Sequence, residues 1–387
     1  MFAAGDRKPA QEALVRALRE LRALRRGSPC AANEALVEWL VSIPAALREV
    51  HDPERSLARQ IQRALTELMP WLGLAAASEE IRGAWAGRLW PVLLADESEF
   101  LEGVGDAWGL LTGPKLAAEW ASRLYPELHC AWSKGHDDRA SRACLSALIA
   151  AERYRDVLEL LALRTIGIWP ERRFGVIALA ALGRVDDSID YARDSNLLGH
   201  AYQQAIAEQC EQVLLAAGDR HRAYVEFAHS ANHRQNYLQT FRSLTRKYPE
   251  REPSTILSDL IEASPGLEGR WFATARSLRF FNLAAEIAQR APCDPRTLNR
   301  AAGERLAHDP GFAYDVAVAS LRWIAEGHGY LIDGADVFAA YDIAVDAARR
   351  LGRLALLREQ IAVICEGMHA SAEWIRRLIT PQLDQDS

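Results

Sequence analysis

One turn signature recurs along the chain, and its spacing limits the fold more than any other feature. The stretch Ala181-Leu182-Gly183-Arg184-Val185-Asp186-Asp187-Ser188-Ile189-Asp190-Tyr191-Ala192-Arg193 reads as the end of one helix, a tight turn at Gly183-Arg184, and the start of a second helix. Glycine supplies the permissive backbone that a helix end needs. Val185, Ile189 and Ala192 share one helical face and can be buried together. Leu148 to Leu158 has the same shape, with Glu152 where the glycine would stand. Leu214 to Tyr224 repeats it with Gly218 in place, and weaker copies run from Ser277 to Ala284, centred on Leu278, and from Arg350 to Ala355, around Gly352. Glu152 to Gly183 is 31 residues and Gly183 to Gly218 is 35; the next intervals, 60 and 74, are each close to two such units. A fixed interval of this size means one supersecondary unit repeated, here from about Gly105 to Gly367.

The Gly183 stretch resembles the inter-helix turn of a tetratricopeptide-like repeat, where a Leu-Gly-Arg-aromatic-Asp-Glu-Ala pattern joins paired helices and the repeat is about 34 residues. The resemblance implies an all-α fold, a right-handed solenoid of antiparallel helix pairs with a concave face that commonly holds a protein segment. The family's characteristic Trp, Tyr and closing Pro do not recur at every repeat, and a related solenoid with irregular helix pairs fits the residues equally. The expected organisation is an N-terminal helical region packed on the solenoid (1–103), tetratricopeptide-like repeats (104–250), C-terminal helical repeats (251–380) and a polar tail (381–387).

Composition agrees with helices. Ala, Leu, Arg and Glu dominate and β-branched runs are scarce. Hydrophobic types make up 49% of 387 residues, enough for a large core, and charged types 25%, which argues against wholesale disorder. The six cysteines, at 30, 130, 144, 210, 293 and 365, form no Cys-x-x-Cys. That excludes zinc-knuckle and thioredoxin motifs. Cysteines scattered on helical patterns are expected to be reduced core residues of a cytoplasmic protein. No apolar run reaches the roughly 18 residues that span a membrane, and the N-terminus lacks a signal-peptide core.

In chain order, Gln11 to Arg26 reads as an amphipathic helix, with Leu14, Leu18 and Leu21 on one side and Arg16, Arg19, Arg22 and Arg26 on the other. A transit peptide is one reading; Asp6, Glu12 and Glu20 favour a basic surface helix. A second helix is expected to be interrupted before Pro44, a third to open at Asp52-Pro53 and break at Pro70-Trp71, and a fourth to open at Ser78-Glu79-Glu80. Seven of eleven tryptophans lie at or before Trp132, where they fill gaps between helices or line a peptide groove. Asp294-Pro295 and Asp309-Pro310 read as cap-plus-proline helix starts, and the last helix is expected to end before Pro381.

Three clusters are candidate sites. Glu226, His229 and His233 fall on one helical face with the spacing of transition-metal ligands. Ser230 stands where the metalloprotease motif needs glutamate, so a solvated polar face explains them too. The window Asp219 to Arg251 holds seven basic residues against three acidic ones in a chain of net charge −6. Arg220, Arg222, Arg234, Arg242, Arg246 and Lys247 are its candidate anion-binding residues, interleaved with Tyr224, Phe227, Tyr237, Phe241 and Tyr248. Arginines among stacking aromatics suit single-stranded nucleic acid or an acidic protein segment; aromatics in the core with arginines over them are the plainer reading. Gly327-His328-Gly329-Tyr330 with Asp333 and Asp336 has the makings of acid–base chemistry, or of a helix-ending loop followed by a cap.

No phosphate-binding glycine loop, serine elbow or dinucleotide fingerprint occurs. The expectation is a non-catalytic, cofactor-free protein-interaction module (scaffold or adaptor). A nucleic-acid-binding repeat using the basic window is the second reading, and a metal-dependent enzyme at a histidine site is the third.

Overall fold

The structure, a computed structural model, describes residues 7–383 except 49, 51, 53, 165, 166, 196–199 and 368. Pro53 and residues 384–387 of the expected tail therefore lie outside the described residues. Every regular element among those described is helical, with no strand. The chain divides into two compact units, Met1–Phe227 and Ala228–Ser387, a boundary that falls inside the expected 104–250 repeat region.

In the first unit, the helices Arg7–Gly27, Pro29–Leu47, Ser56–Gly73 and Glu79–Ala95 precede a short helix, Glu102–Asp106, and the long Trp108–Ser133. Ser141–Ala150, Tyr154–Ala162, Trp169–Ala181, Val185–Asp194 and Gln203–Ala216 follow. One core runs from Ala10 to Ala178. The amphipathic first helix is as expected: Leu14 and Leu21 are buried, while Arg22 faces out and pairs with Glu67. Pro29–Leu47 has the length and mean hydropathy (1.2) that a membrane span also has. Its Leu36, Val37 and Leu40 are fully buried inside the unit, so a packed core explains its composition.

The expected turns are all present, and they share one backbone geometry. Glu152, Gly183, Gly218, Arg279 and Gly352 are left-handed, with φ of 58°, 77°, 84°, 65° and 68°. In each case the next residue donates its amide to the carbonyl five positions back: Arg153 to Leu148, Arg184 to Leu179, Asp219 to Leu214, Phe280 to Ala275 and Arg353 to Ala348, at 2.8–3.0 Å. That bond closes a helix C-terminus on itself and satisfies a carbonyl the helix leaves open. The following helix starts two residues past the left-handed one, at Tyr154, Val185, Arg220, Phe281 and Leu354. In the weaker copy the pivot is Arg279, one residue past Leu278.

Around these turns the helices pair. Ser141–Ala150 packs on Tyr154–Ala162 across Glu152, and Trp169–Ala181 packs on Val185–Asp194 across Gly183. Trp169–Ala181 also packs on Ser141–Ala150 and on Gln203–Ala216, so the first helices of successive pairs lie against one another. Small residues permit the closest approaches. A Cβ at Gly109 would overlap the Ser146 carbonyl, and the Gly109 amide donates to Ser146 Oγ at 3.0 Å.

Caps behave as the sequence implies. Asp52 accepts the amides of Ser56, Leu57 and Ala58 at 2.9–3.0 Å, but the helix opens at Ser56 behind a left-handed Arg55, later than the expected start at Asp52-Pro53. Ser78, Asp294 and Asp309 accept from Ile81, Thr297 and Phe312. The prolines do not behave so. Pro44 and Pro70 lie inside Pro29–Leu47 and Ser56–Gly73, and the final helix, Ala370–Leu383, runs through Pro381. An internal proline costs a helix about 3 kcal/mol. Ser56–Gly73 buries Leu57, Ile61, Leu65, Leu68, Met69 and Leu72. At roughly 1.5–3 kcal/mol per buried side chain, that face outweighs one proline.

In the second unit, Tyr237–Lys247, Pro253–Glu262, Phe272–Ser277 and Phe281–Arg290 precede Pro295–Arg305, Pro310–Ala325, Gly334–Leu351, Leu354–Cys365 and Ala370–Leu383. Pro310–Ala325 is its central helix and packs on Phe281–Arg290 and on all four of the last-named neighbours. Trp323 anchors it, donating its indole N–H to the Ala288 carbonyl at 2.7 Å.

Candidate functional site

An open cleft lies between the first helices of neighbouring pairs in the first unit. Trp169–Ala181 and Gln203–Ala216 flank a trough of about 500 Å³, walled by Ile177, Ala181, Val185, Gln212, Val213 and Ala217. Alanines keep it shallow and wide. Its polar atoms are mainly the side-chain amides of Gln209 and Gln212, which can donate and accept but carry no charge. Such a surface can take an apolar side chain and hydrogen-bond a passing backbone. It holds no nucleophile or general base.

The second unit has its own cleft, about 530 Å³, between Pro310–Ala325 and Leu354–Cys365. Leu356 and Val363 stand at its edge, 42% and 69% exposed. Tyr314 donates to Gln360 at 2.6 Å across its floor. Burial pushes the Asp315 carboxyl up. Its lining mixes apolar Val318, Leu356 and Val363 with charged Asp315, Arg322 and Glu359.

A third cavity, about 470 Å³ in the first unit, differs in kind because charged groups line it, among them Asp96, Glu102, Glu171, Arg142 and Arg164. Asp96 and Glu171 are each only 6% exposed. Burial raises the carboxyls of Asp96, Glu102 and Glu171 above their ordinary values. Sequence reasoning missed this cavity. Its residues come from positions 96 to 171 with no common spacing, and an isolated Glu in a helix's first turn looks like any other.

The sequence-predicted sites come apart. Glu226 is held by Arg193 at 2.6 Å and Arg222 at 2.7 Å, and Arg222 also meets Asp186. Burial, then the nearby His233, lowers the His229 imidazole's proton affinity. Among the described residues, no group of three His, Cys, Asp or Glu is placed to hold a metal ion, and Glu226, His229 and His233 form none. The basic window divides between the two units. Arg220 and Arg222 belong to the first; Arg234, Arg242, Arg246 and Lys247 belong to the second. Arg234, Arg242 and Arg246 are exposed, and Lys247 reaches Asn232 Oδ1 at 3.5 Å. Three of the five interleaved aromatics, Phe227, Phe241 and Tyr248, are buried in the core; Tyr224 and Tyr237 are half-buried, and Tyr237 packs edge-on against Trp271 at 4.6 Å.

The glycine-flanked histidine is part of a helix ending. Gly327 is left-handed and the His328 amide closes onto the Trp323 carbonyl at 2.8 Å. Asp333 and Asp336 form a reciprocal capping box for Gly334–Leu351, and Asp336 is bound by Arg296 at 2.9 Å. Both carboxylates are thereby occupied in structure. The N-terminal tryptophans also go to packing. Trp85, Trp108 and Trp132 are buried, and Trp90, Trp108 and Trp120 form a cluster with centroids 4.7–5.2 Å apart.

No family model matches the chain, and none of the curated proteins or solved structures compared with it is similar to it.

Proposed function

We propose that this chain is a helical-repeat protein-interaction module, a cytoplasmic scaffold or adaptor without catalytic activity. In this reading the pairs around Glu152, Gly183 and Gly218 form a right-handed solenoid of tetratricopeptide type. The inner faces of their first helices hold a segment of another protein. The observation that carries the reading is the turn repeated with one geometry at these positions, together with first helices that pack on one another. That arrangement lines up equivalent helix faces and leaves grooves between them. The trough between Trp169–Ala181 and Gln203–Ala216 is such a groove, edged by the amides of Gln209 and Gln212. The nucleic-acid reading is weaker, because Phe227, Phe241 and Tyr248 of its five aromatics are spent in the core and Arg222 is tied to carboxylates.

The test is affinity capture of the chain from its own cells, with wild type and an Ala181→Arg, Ala217→Arg variant, each with and without nuclease. A Cβ-bearing charged chain at these exposed positions fills the trough without touching the core. The expected result is a partner identified by mass spectrometry that survives nuclease and is lost from the variant. An identical captured set in both proteins would overturn the reading. Partners that vanish with nuclease would replace it with nucleic-acid binding, which an Arg242→Glu, Arg246→Glu, Lys247→Glu variant would then abolish.

A further inference from the structure

The cleft of the second unit is walled by two helix faces of the same pattern. Asp315, Val318, Ala319 and Arg322 of Pro310–Ala325 line it at the i, i+3, i+4, i+7 spacing with which one helix meets another. Leu356, Glu359, Gln360 and Val363 of Leu354–Cys365 line it at the same spacing. The helix Leu354–Cys365 buries Leu357 and Ile361 against the unit and leaves Leu356 and Val363 exposed beside the cleft. Exposed apolar side chains grouped along a groove mark interaction surfaces.

The charges of the cleft are unbalanced. Arg322 is committed: it donates to the Gln289 carbonyl, stands 3.9 Å from Glu326 and lies over the Trp323 ring at 4.2 Å. Asp315 and Glu359 have no such partner. Among the described residues, neither accepts a hydrogen bond or forms an ion pair. Arg353 attracts Asp315 through space without pairing with it, and Asp309 opposes that attraction. Glu359 is exposed, whereas Asp315 is half-buried and keeps surface open to the cleft. A carboxylate partly stripped of water with no cation of its own is costly until one arrives.

We infer that this cleft receives an amphipathic helix from a partner protein, its apolar side chains against Val318, Leu356 and Val363 and a lysine or arginine against Asp315. A helix fits because both walls are helix faces with matching stripes, the arrangement that takes a third helix between them. A basic residue fits because both free charges of the cleft are negative. Glu359 draws the same cation toward the opening. The inference rests on the interaction-module reading for its class of occupant, and it adds a second cleft and a rule for what enters it.

The probe is a phage-displayed library of helical peptides of about four turns, with an alanine–glutamine frame randomised along one face. The library is selected on the full wild-type chain and counter-selected on Val363→Glu, which places a charge at an exposed position and leaves the core intact. Retained peptides are expected to carry lysine or arginine three or four positions from a large apolar residue. One of them, labelled with fluorescein, is then titrated by anisotropy. Asp315→Asn, checked for folding by circular dichroism, is expected to weaken binding about tenfold, the scale of one charged hydrogen bond. Glutamine in place of the peptide's basic residue should cost as much on wild type and nothing further on Asp315→Asn. The exposed Glu127→Gln is the control and is expected to bind as wild type. No peptide retained by wild type over Val363→Glu would overturn the inference. So would retained peptides that lack a basic residue, or equal binding by wild type and Asp315→Asn. A wild-type dimer in sedimentation velocity that Val363→Glu abolishes would overturn it as well, by placing a second copy in the cleft. The selection needs no cellular partner and reads a different cleft, so its failure is separable from failure of the capture experiment.

Discussion

The recurring turn makes its own thermodynamic prediction, because nature has placed glycine at three of its five pivots and not at the others. Glu152 holds φ of 58° where Gly183 holds 77°. A left-handed conformation costs an L-residue about 1–2 kcal/mol. Glycine removes that strain but loses about 0.5–1 kcal/mol more chain entropy on folding. Glu152 is exposed, so Glu152→Gly deletes no packing. The net expectation is a gain of about 0.5–1 kcal/mol. The reciprocal change is equally clean. A Cβ added at Gly183 meets nothing within 4 Å, so Gly183→Ala tests backbone strain alone and is expected to lose about 1 kcal/mol. For a unit of this size 1 kcal/mol moves Tm by about 2–4 °C. Calorimetry on the full chain reads the global shift. Hydrogen exchange at the Arg153 and Arg184 amides, which close the two turns, locates it. Opposite shifts from the two substitutions are expected. If only one of the two substitutions shifted stability, or both shifted it in the same direction, the two turns would not be equivalent, and the repeat argument would fall.

Burial pushes the Asp52 carboxyl up, but the amides of Ala58, Leu57 and Ser56 pull it below its ordinary value of 3.8, so its stabilisation is full above that value and is lost as pH falls through the depressed one; Asp52→Ala should cost about 1–2 kcal/mol at pH 7 by urea titration, with the gap to wild type closing in acid. Burial raises Glu171, so ionising it opposes folding as pH rises past its ordinary 4.5; Glu171→Gln should melt at or above the wild-type temperature at pH 7, and a large drop would show that the carboxylate serves the fold. Burial pushes Cys144 and Cys293 up to about 12 and Cys210 to about 11, so brief alkylation of native protein should add label at exposed Cys30 and Cys130 and leave those three free by peptide mass mapping.

The fold was legible where local chemistry decides it. Asp before proline at 294 and 309 gave helix starts that the structure reproduces, because a carboxylate satisfies amides within its own turn. Gly183, Gly218 and Gly352 marked turns for a different local reason, the left-handed backbone that glycine adopts without a Cβ penalty. Proline misled at 44, 70 and 381, where tertiary burial overrides a local penalty that the sequence shows and the compensation that it hides. The site was less legible still. Alternation of arginine and aromatic residues between 219 and 251 looks alike whether the rings face a base or a core, and only packing separates Tyr248, fully buried, from a stacking platform. Conversely, Glu171 is conspicuous only once Ser141 and Arg164 stand beside it. A cavity assembled from three separate stretches, 93–105, 137–142 and 164–171, leaves no periodic trace.

The turn at Glu152 and Arg279 has one more consequence. Its geometry is fixed by two backbone hydrogen bonds, from the pivot's amide and from the next one, and by the packing of the helices on either side, so the identity of the pivot is nearly free within about a kilocalorie per mole. A scaffold joined this way can let its sequence drift almost without limit while its shape stays put. Each joint can be rewritten singly, with no partner substitution to wait for, and ancestry erodes at the joints before architecture does.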